Sequence, residues 1–144
     1  MSLPLIRAAL EGRLDALEPK LPTQWENVAF KPVAGTAWQR AVLMTSETRA
    51  MGVVADAPEQ WTGYLHITLN YPANQAGGAK AAEARATALI GDRVRSIQGH
   101  FYRGQVIMSQ RAAVVIYQPY VRPATSDSDW YSLPVHIPFM LNTN

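Results

Sequence analysis

Apolar residues recur along this chain at two distinct periods. Near the N-terminus Ile6, Ala9, Leu10, Leu14 and Leu17 are three or four positions apart, which puts them on one face of a helix. Ser2 and Pro4 supply a start signal and Pro19 a stop, so a first helix of about four turns is expected. Residues 38–45 read as a strand with imperfect alternation. The clearest period-two pattern follows: Trp61, Leu65, Ile67 and Leu69 alternate with Thr62, Tyr64, His66, Thr68 and Asn70, and Pro72 closes the run. Gly77 and Gly78 then precede a second helical stripe, Ala79, Ala82, Ala86, Leu89, Ile90, Val94 and Ile97, expected to end near Gly99. Two short β-rich runs, 105–109 and 112–118, flank Gln110 and Arg111 as a hairpin.

The last strand, 133–139, is more specific. Leu133, Val135, Ile137 and Phe139 share one face, and Pro134, His136 and Pro138 share the other. Both prolines remove N–H donors from the same side of the strand, which predicts an edge strand guarded against further pairing. His136 keeps its N–H and is a candidate contact there. The expected architecture is α+β: one domain over residues 1–144, with a single mixed or antiparallel sheet of about four to five strands and two helices on one face.

Composition narrows the chemistry. With no cysteine, disulfides, thiolate metal sites, iron–sulfur clusters and thiol catalysis are all excluded. There is no run of about eighteen apolar residues and no signal-peptide pattern, so a soluble protein made in the cytoplasm, with no membrane partner, is expected. The formal charge of +2 is far from that of a dedicated nucleic-acid binder. Charge is uneven, however: Arg93, Arg95, Arg103, Arg111 and Arg122 follow one another with no intervening acid.

The search for catalytic patterns is empty. Ser126, Asp127, Ser128 and Asp129 cluster in a loop with the composition of turn chemistry, and no G-x-S-x-G elbow is present. Gly77-Gly78-Ala79-Lys80 fails the phosphate-loop pattern, because Ala79 separates glycine from lysine and Ala81 follows. His66 and His136 fall on outward strand faces, and no histidine or carboxylate spacing suits a metal. No enzyme activity and no cofactor are expected.

Several strings, in order, resemble a known family. Trp25-Glu26-Asn27-Val28 with Phe30 and Pro32 leads through Gly35-Thr36 into a strand; the strand from Gly63 to Pro72 continues through Gly77-Gly78 into an alanine-rich helix; Trp130-Tyr131 precedes Pro134-Val135-His136-Ile137-Pro138-Phe139. Together they resemble the phage tail terminator-like proteins of tailed phages and prophages. The resemblance implies a structural protein of the virion tail, without catalytic residues, that forms a homo-oligomeric ring, typically a hexamer. Such a ring caps the head-proximal end of the tail tube, stops tube polymerisation and provides the surface for joining to the head. The partners it implies are the tail tube protein, a head-completion protein and DNA passing through the channel without sequence-specific binding. Alternatives are a head-completion or connector protein, a tail-tube subunit, or a small ligand-binding module.

Stretch 46–60 is long for a loop in a small domain and apolar for a solvated one. Met51, Val53 and Val54 are therefore candidate interface residues together with His136. Arg103, Arg111 and Arg122 form a candidate basic set facing a channel or partner.

Overall fold

The computed structural model describes residues 3–46 and 48–142; Ser2, read as a helix cap, lies outside them. Helix α1 (Leu3–Asp15) buries Ile6, Ala9, Leu10 and Leu14, the face that the spacing predicts. It ends before Leu17, which packs on the core from the following loop. A short strand β1 (Thr23–Gln24) leads to β2 (Trp38–Thr45), β3 (Arg49–Ala50) and the long β4 (Glu59–Pro72). Helix α2 (Gly78–Ile90) connects to a hairpin of β5 (Gly91–Asp92) and β6 (Ile97–Gln98). The chain finishes with β7 (Val106–Ser109), β8 (Ala112–Ile116), β9 (Tyr120–Val121), β10 (Thr125–Ser126) and β11 (Trp130–Asn142).

The class is α+β as expected, but the sheet is larger than four to five strands. Among the described residues nine strands join one mixed sheet, ordered β1-β2-β4-β11-β8-β7, with β3, β9 and β10 attached to the sides of β4 and β11. Only β1 runs parallel to its neighbour. The additional strands are two residues long, too short for a period to show in the sequence.

The final strand is interior, which overturns the edge assignment. On one side β11 pairs with β4 continuously, from Trp130 opposite Pro72 to Asn142 opposite Gln60. On the other side its neighbours are three separate pieces, β10, β9 and β8. The carbonyls of Pro134 and Pro138 accept from Arg122 N–H and Tyr117 N–H, each at 2.9 Å, so both prolines direct their missing donors to this broken side. Two absent N–H groups are tolerated because the ladder there is already discontinuous.

The second helix is also shorter than its apolar stripe. It stops at Ile90, where Gly91 takes φ 79° and its N–H bonds back to Thr87. A Cβ on Gly91 would lie 2.5 Å from the Ile97 carbonyl oxygen, so the tight hairpin requires glycine there. Val94 and Ile97, placed on the helix by spacing, lie in that hairpin and are exposed.

Both helices contribute to one hydrophobic core with alternate residues of the sheet. Leu65, Ile67, Leu69, Val135 and Ile137 are fully enclosed, beside Ile6, Leu10 and Leu89. Trp61, assigned to the same face, is only partly buried at its margin. Arg13 donates to the His100 carbonyl at 3.2 and 3.0 Å, and His100 Nε2 lies 2.5 Å from the Arg13 carbonyl. These bonds tie α1 to the segment that carries the buried Phe101.

Candidate functional site

The helices cover one sheet face, and the other face is formed by the opposite set of alternating residues. Across it, register aligns Val42, His66, His136 and Tyr120 in one row. The adjacent row holds Arg40, Thr68 and Pro134, with Arg122 bonded to Pro134 through its backbone. A third row holds Met44, Tyr64 and Pro138. Trp38 and Trp130 meet edge to face at 5.9 Å at one end, with Phe30 against Trp38 at 5.2 Å.

His66 and His136 form the centre of this outer face. His136 Nε2 lies 3.1 Å from His66 Nδ1, His136 Nδ1 lies 3.1 Å from the Tyr120 hydroxyl, and His66 Nε2 lies 3.1 Å from Thr68 Oγ1. Tyr64 stacks on His136 with centroids 4.5 Å apart. A nitrogen–nitrogen bond of this kind needs one proton between the two rings, so at least one imidazole must be neutral. Burial pushes the pKa of His66 down, helped by the charge of Arg40; burial, His66 and Arg122 push His136 down. Within the chain the His136 ring is held by Tyr64, His66 and Tyr120.

The sheet's two edges differ. β1 covers β2 only at Gln39 and Arg40. Beyond it, Glu26 Oε1 accepts the Leu43 N–H at 2.5 Å, and Arg7 of α1 reaches the same oxygen at 3.2 Å. Glu26 belongs to the Trp25-Glu26-Asn27 string, and Asn27 takes φ 58° immediately after it. The string thus occupies an outward-directed donor of an edge strand with a carboxylate, which is one way to stop further pairing. On the opposite edge lies β7, whose Val106 and Met108 are 55% and 60% exposed.

Within stretch 46–60, residues 48–60 form an arm. β3 extends the pairing along β4 from Arg49 opposite Gln60 to Ala50 opposite Glu59. Bonds from Met51 N–H to the Pro58 carbonyl and from Ala57 N–H to the Val54 carbonyl close its tip. Met51, Val53 and Val54 are all exposed there.

The candidate arginines are spread along the strands of one chain. Arg111 lies in the β7–β8 turn and Arg103 before the other end of that hairpin, where Gly104 N–H bonds to the Ile116 carbonyl. Arg122 is alongside Pro134, whereas Arg111 lies three residues beyond the level of Leu141, so about 33 Å of strand separates those two. The Ser126 to Asp129 loop is turn chemistry: Asp127 Oδ1 accepts Asp129 N–H at 2.8 Å and Trp130 N–H at 2.7 Å. Among the described residues, no three histidine or acidic side chains could hold a metal, and no helix is long and apolar enough to cross a membrane.

Glu26, Arg40, Tyr64 and Tyr120 were not singled out by sequence reasoning. Glu26 acquires its role only once the chain folds back on β2, and the other three acquire one only through cross-strand register.

No curated protein matches the chain. Among solved structures that do match, one aligns with a TM-score of 0.74 and 25% identity. That alignment covers 100% of this chain and 98% of the other. A family described as phage tail terminator protein matches residues 5–139, from α1 into the final strand, and this chain belongs to that family.

Proposed function

We infer that this protein caps the head-proximal end of a phage tail tube as a homo-oligomeric ring, stops tube polymerisation and presents the surface to which the head is joined. Family membership gives it a structural role in the phage tail, and the match over residues 5–139 is the observation that carries the finer reading. The guarded β2 edge supports it. A protein that ends a polymer must bind the last tube subunits on one surface and refuse more on another, and the Glu26 carboxylate on Leu43 N–H is a device for refusal. A ring of six copies, contacts with the tube protein and a head-completion protein, and DNA passage through the channel belong to the same reading. So does residence in the virion tail after synthesis in the host cytoplasm.

Pre-formed tubes of the cognate tube protein, mixed with the purified chain and imaged, test this reading. The expected result is density at one tube end only, with no further growth from that end when tube subunits are added. Binding along the tube wall, or continued growth at decorated ends, would contradict it.

A further inference from the structure

The open edge and the exposed arm are complementary surfaces on opposite sides of one molecule. β7 closes its hairpin with Ser109 opposite Ala112, and Ile107 lies opposite Val114. The Ile116 N–H bond to the Gln105 carbonyl continues that alternation. Residues 107 and 109 therefore exchange backbone bonds with β8, where the Gln105 carbonyl also accepts, and Val106 and Met108 direct theirs outward. Their side chains are exposed as well, and the strand carries no charge or proline to discourage a partner. Arg103 and Arg111 flank it, both exposed, in a stretch without acids from Arg93 to Arg122.

That charge pattern disfavours two β7 edges meeting. Antiparallel self-pairing in the register of greatest overlap, centred on Ile107, sets Arg103 of one copy across from Arg111 of the other, and like charges directly opposite repel. The edge calls for an apolar segment bearing an acid. The arm tip has that composition: Met51, Val53 and Val54 are exposed and Asp56, also exposed, follows two residues later.

One molecule cannot satisfy its own edge. Between the arm beside β4 and the β7 edge lie β4, β11 and β8, a separation of about 19 Å across the sheet. Both features nevertheless sit at the same end of the strands. Arg49 is level with Gln60 and Asn142, and the turn at Gln110 and Arg111 lies beyond β8, whose Val114 is level with Leu141. Copies arranged side by side therefore bring the arm of one to the β7 edge of the next.

We propose that the arm tip of one copy docks on the β7 edge of a second copy, Met51, Val53 and Val54 covering Val106 and Met108, and Asp56 lying beside Arg111. The contact is heterologous, so it repeats from copy to copy and closes into a ring where the rotation permits. It specifies the self-contact of the ring reading, yet it is tested on the isolated chain. Its failure is therefore separate from failure of tube capping.

Because the chain lacks cysteine, engineered cysteines report the contact without background. Val54→Cys and Met108→Cys, made as single variants, are mixed at high concentration, oxidised and separated under non-reducing denaturing conditions. The expected result is a dimer band from the mixture, none from either variant alone, and a ladder of higher species from the double variant. Cross-linking of Met108→Cys alone would mean β7 self-pairing, cross-linking of Val54→Cys alone would mean arm-to-arm contact, and each would overturn the proposal. So would the absence of a dimer from the mixture when circular dichroism shows both variants folded. As a second measurement without cysteine, Asp56→Arg should weaken self-association by about tenfold or more in sedimentation equilibrium. Arg111→Asp in the same chain should restore it, and equal association by all three proteins would overturn the pairing of Asp56 with Arg111.

Discussion

The inner and outer faces of the β4–β11 pair are alternate residues of the same two strands, yet they do different physical work. Inward, Leu65, Ile67, Leu69, Val135, Ile137 and Phe139 are closed off by two helices. Outward, Tyr64, His66, Thr68 and His136 remain half-exposed; Tyr64 stacks on His136, and the others are hydrogen-bonded to one another and to Tyr120. Burial of apolar area drives folding on the first face. The second is free of that duty, and its polar and aromatic side chains engage one another instead.

If this division holds, truncation should be costly only inward. Ile67→Ala, Ile137→Ala or Phe139→Ala should each lower unfolding free energy by about 2–5 kcal/mol, a large share of the ~5–15 kcal/mol typical of a domain. Thr68→Ala, between Arg40 and Pro134 on the outer face, should cost no more than about 1 kcal/mol. Denaturant titration of the four variants checks this. Equal losses on both faces would erase the distinction.

A smaller loss is expected where β2 and β4 meet. A Cβ on Gly63 would lie 2.2 Å from the Met44 carbonyl oxygen and 2.9 Å from Thr45 Cα, both backbone atoms that cannot swing aside. Gly63→Ala should therefore force the strands apart and cost about 1–3 kcal/mol in the same titration. Stability equal to that of the parent chain would mean the strands do not approach so closely.

The outer face should reveal itself by its response to pH. Folding holds His66 and His136 below the ordinary histidine pKa of 6.5, through burial, their mutual proximity and the charges of Arg40 and Arg122. His100 is also lowered, by burial first, with the Arg13 carbonyl opposing the shift. The unfolded chain therefore takes up protons first as pH falls. This contribution is complete above about pH 6.5 and is lost as pH drops toward the folded-state values. Stability should decline as pH falls from neutral through about 6.5 and below, and His136→Gln should flatten that slope. An unchanged slope in the variant would assign the pH response elsewhere, with His100 the remaining histidine outside the pair.

What was legible in the sequence follows from how local each signal is. The helix stripe from Ile6 to Leu14 and the alternation from Trp61 to Asn70 are properties of single elements, and both appear where the pattern places them. The hairpin about Gln110 and Arg111 is equally local. The place of β11 in the sheet is not. Pro134 and Pro138 do reveal that one side lacks donors, but an empty side and a side filled by three short strands leave the same sequence trace. Val94 and Ile97 extended a helical period past Gly91, where the backbone had already turned.

The candidate site was legible in part. Exposure of Met51, Val53 and Val54 follows from an apolar loop with glycine and proline, and these residues are exposed. The pairing of His136 with His66 depends on a register between strands seventy residues apart, which no local pattern encodes. The arginines were grouped by sequence distance, and folding spread them along the hairpin and β9.

The most direct test of the whole account is the length of phage tails assembled with and without this chain, measured by negative-stain imaging. Tubes should overrun their normal length when the chain is absent and return to it when the chain is restored. Tubes of normal length that merely fail to join heads, or complete infectious particles formed without it, would contradict the claim that it ends tube growth.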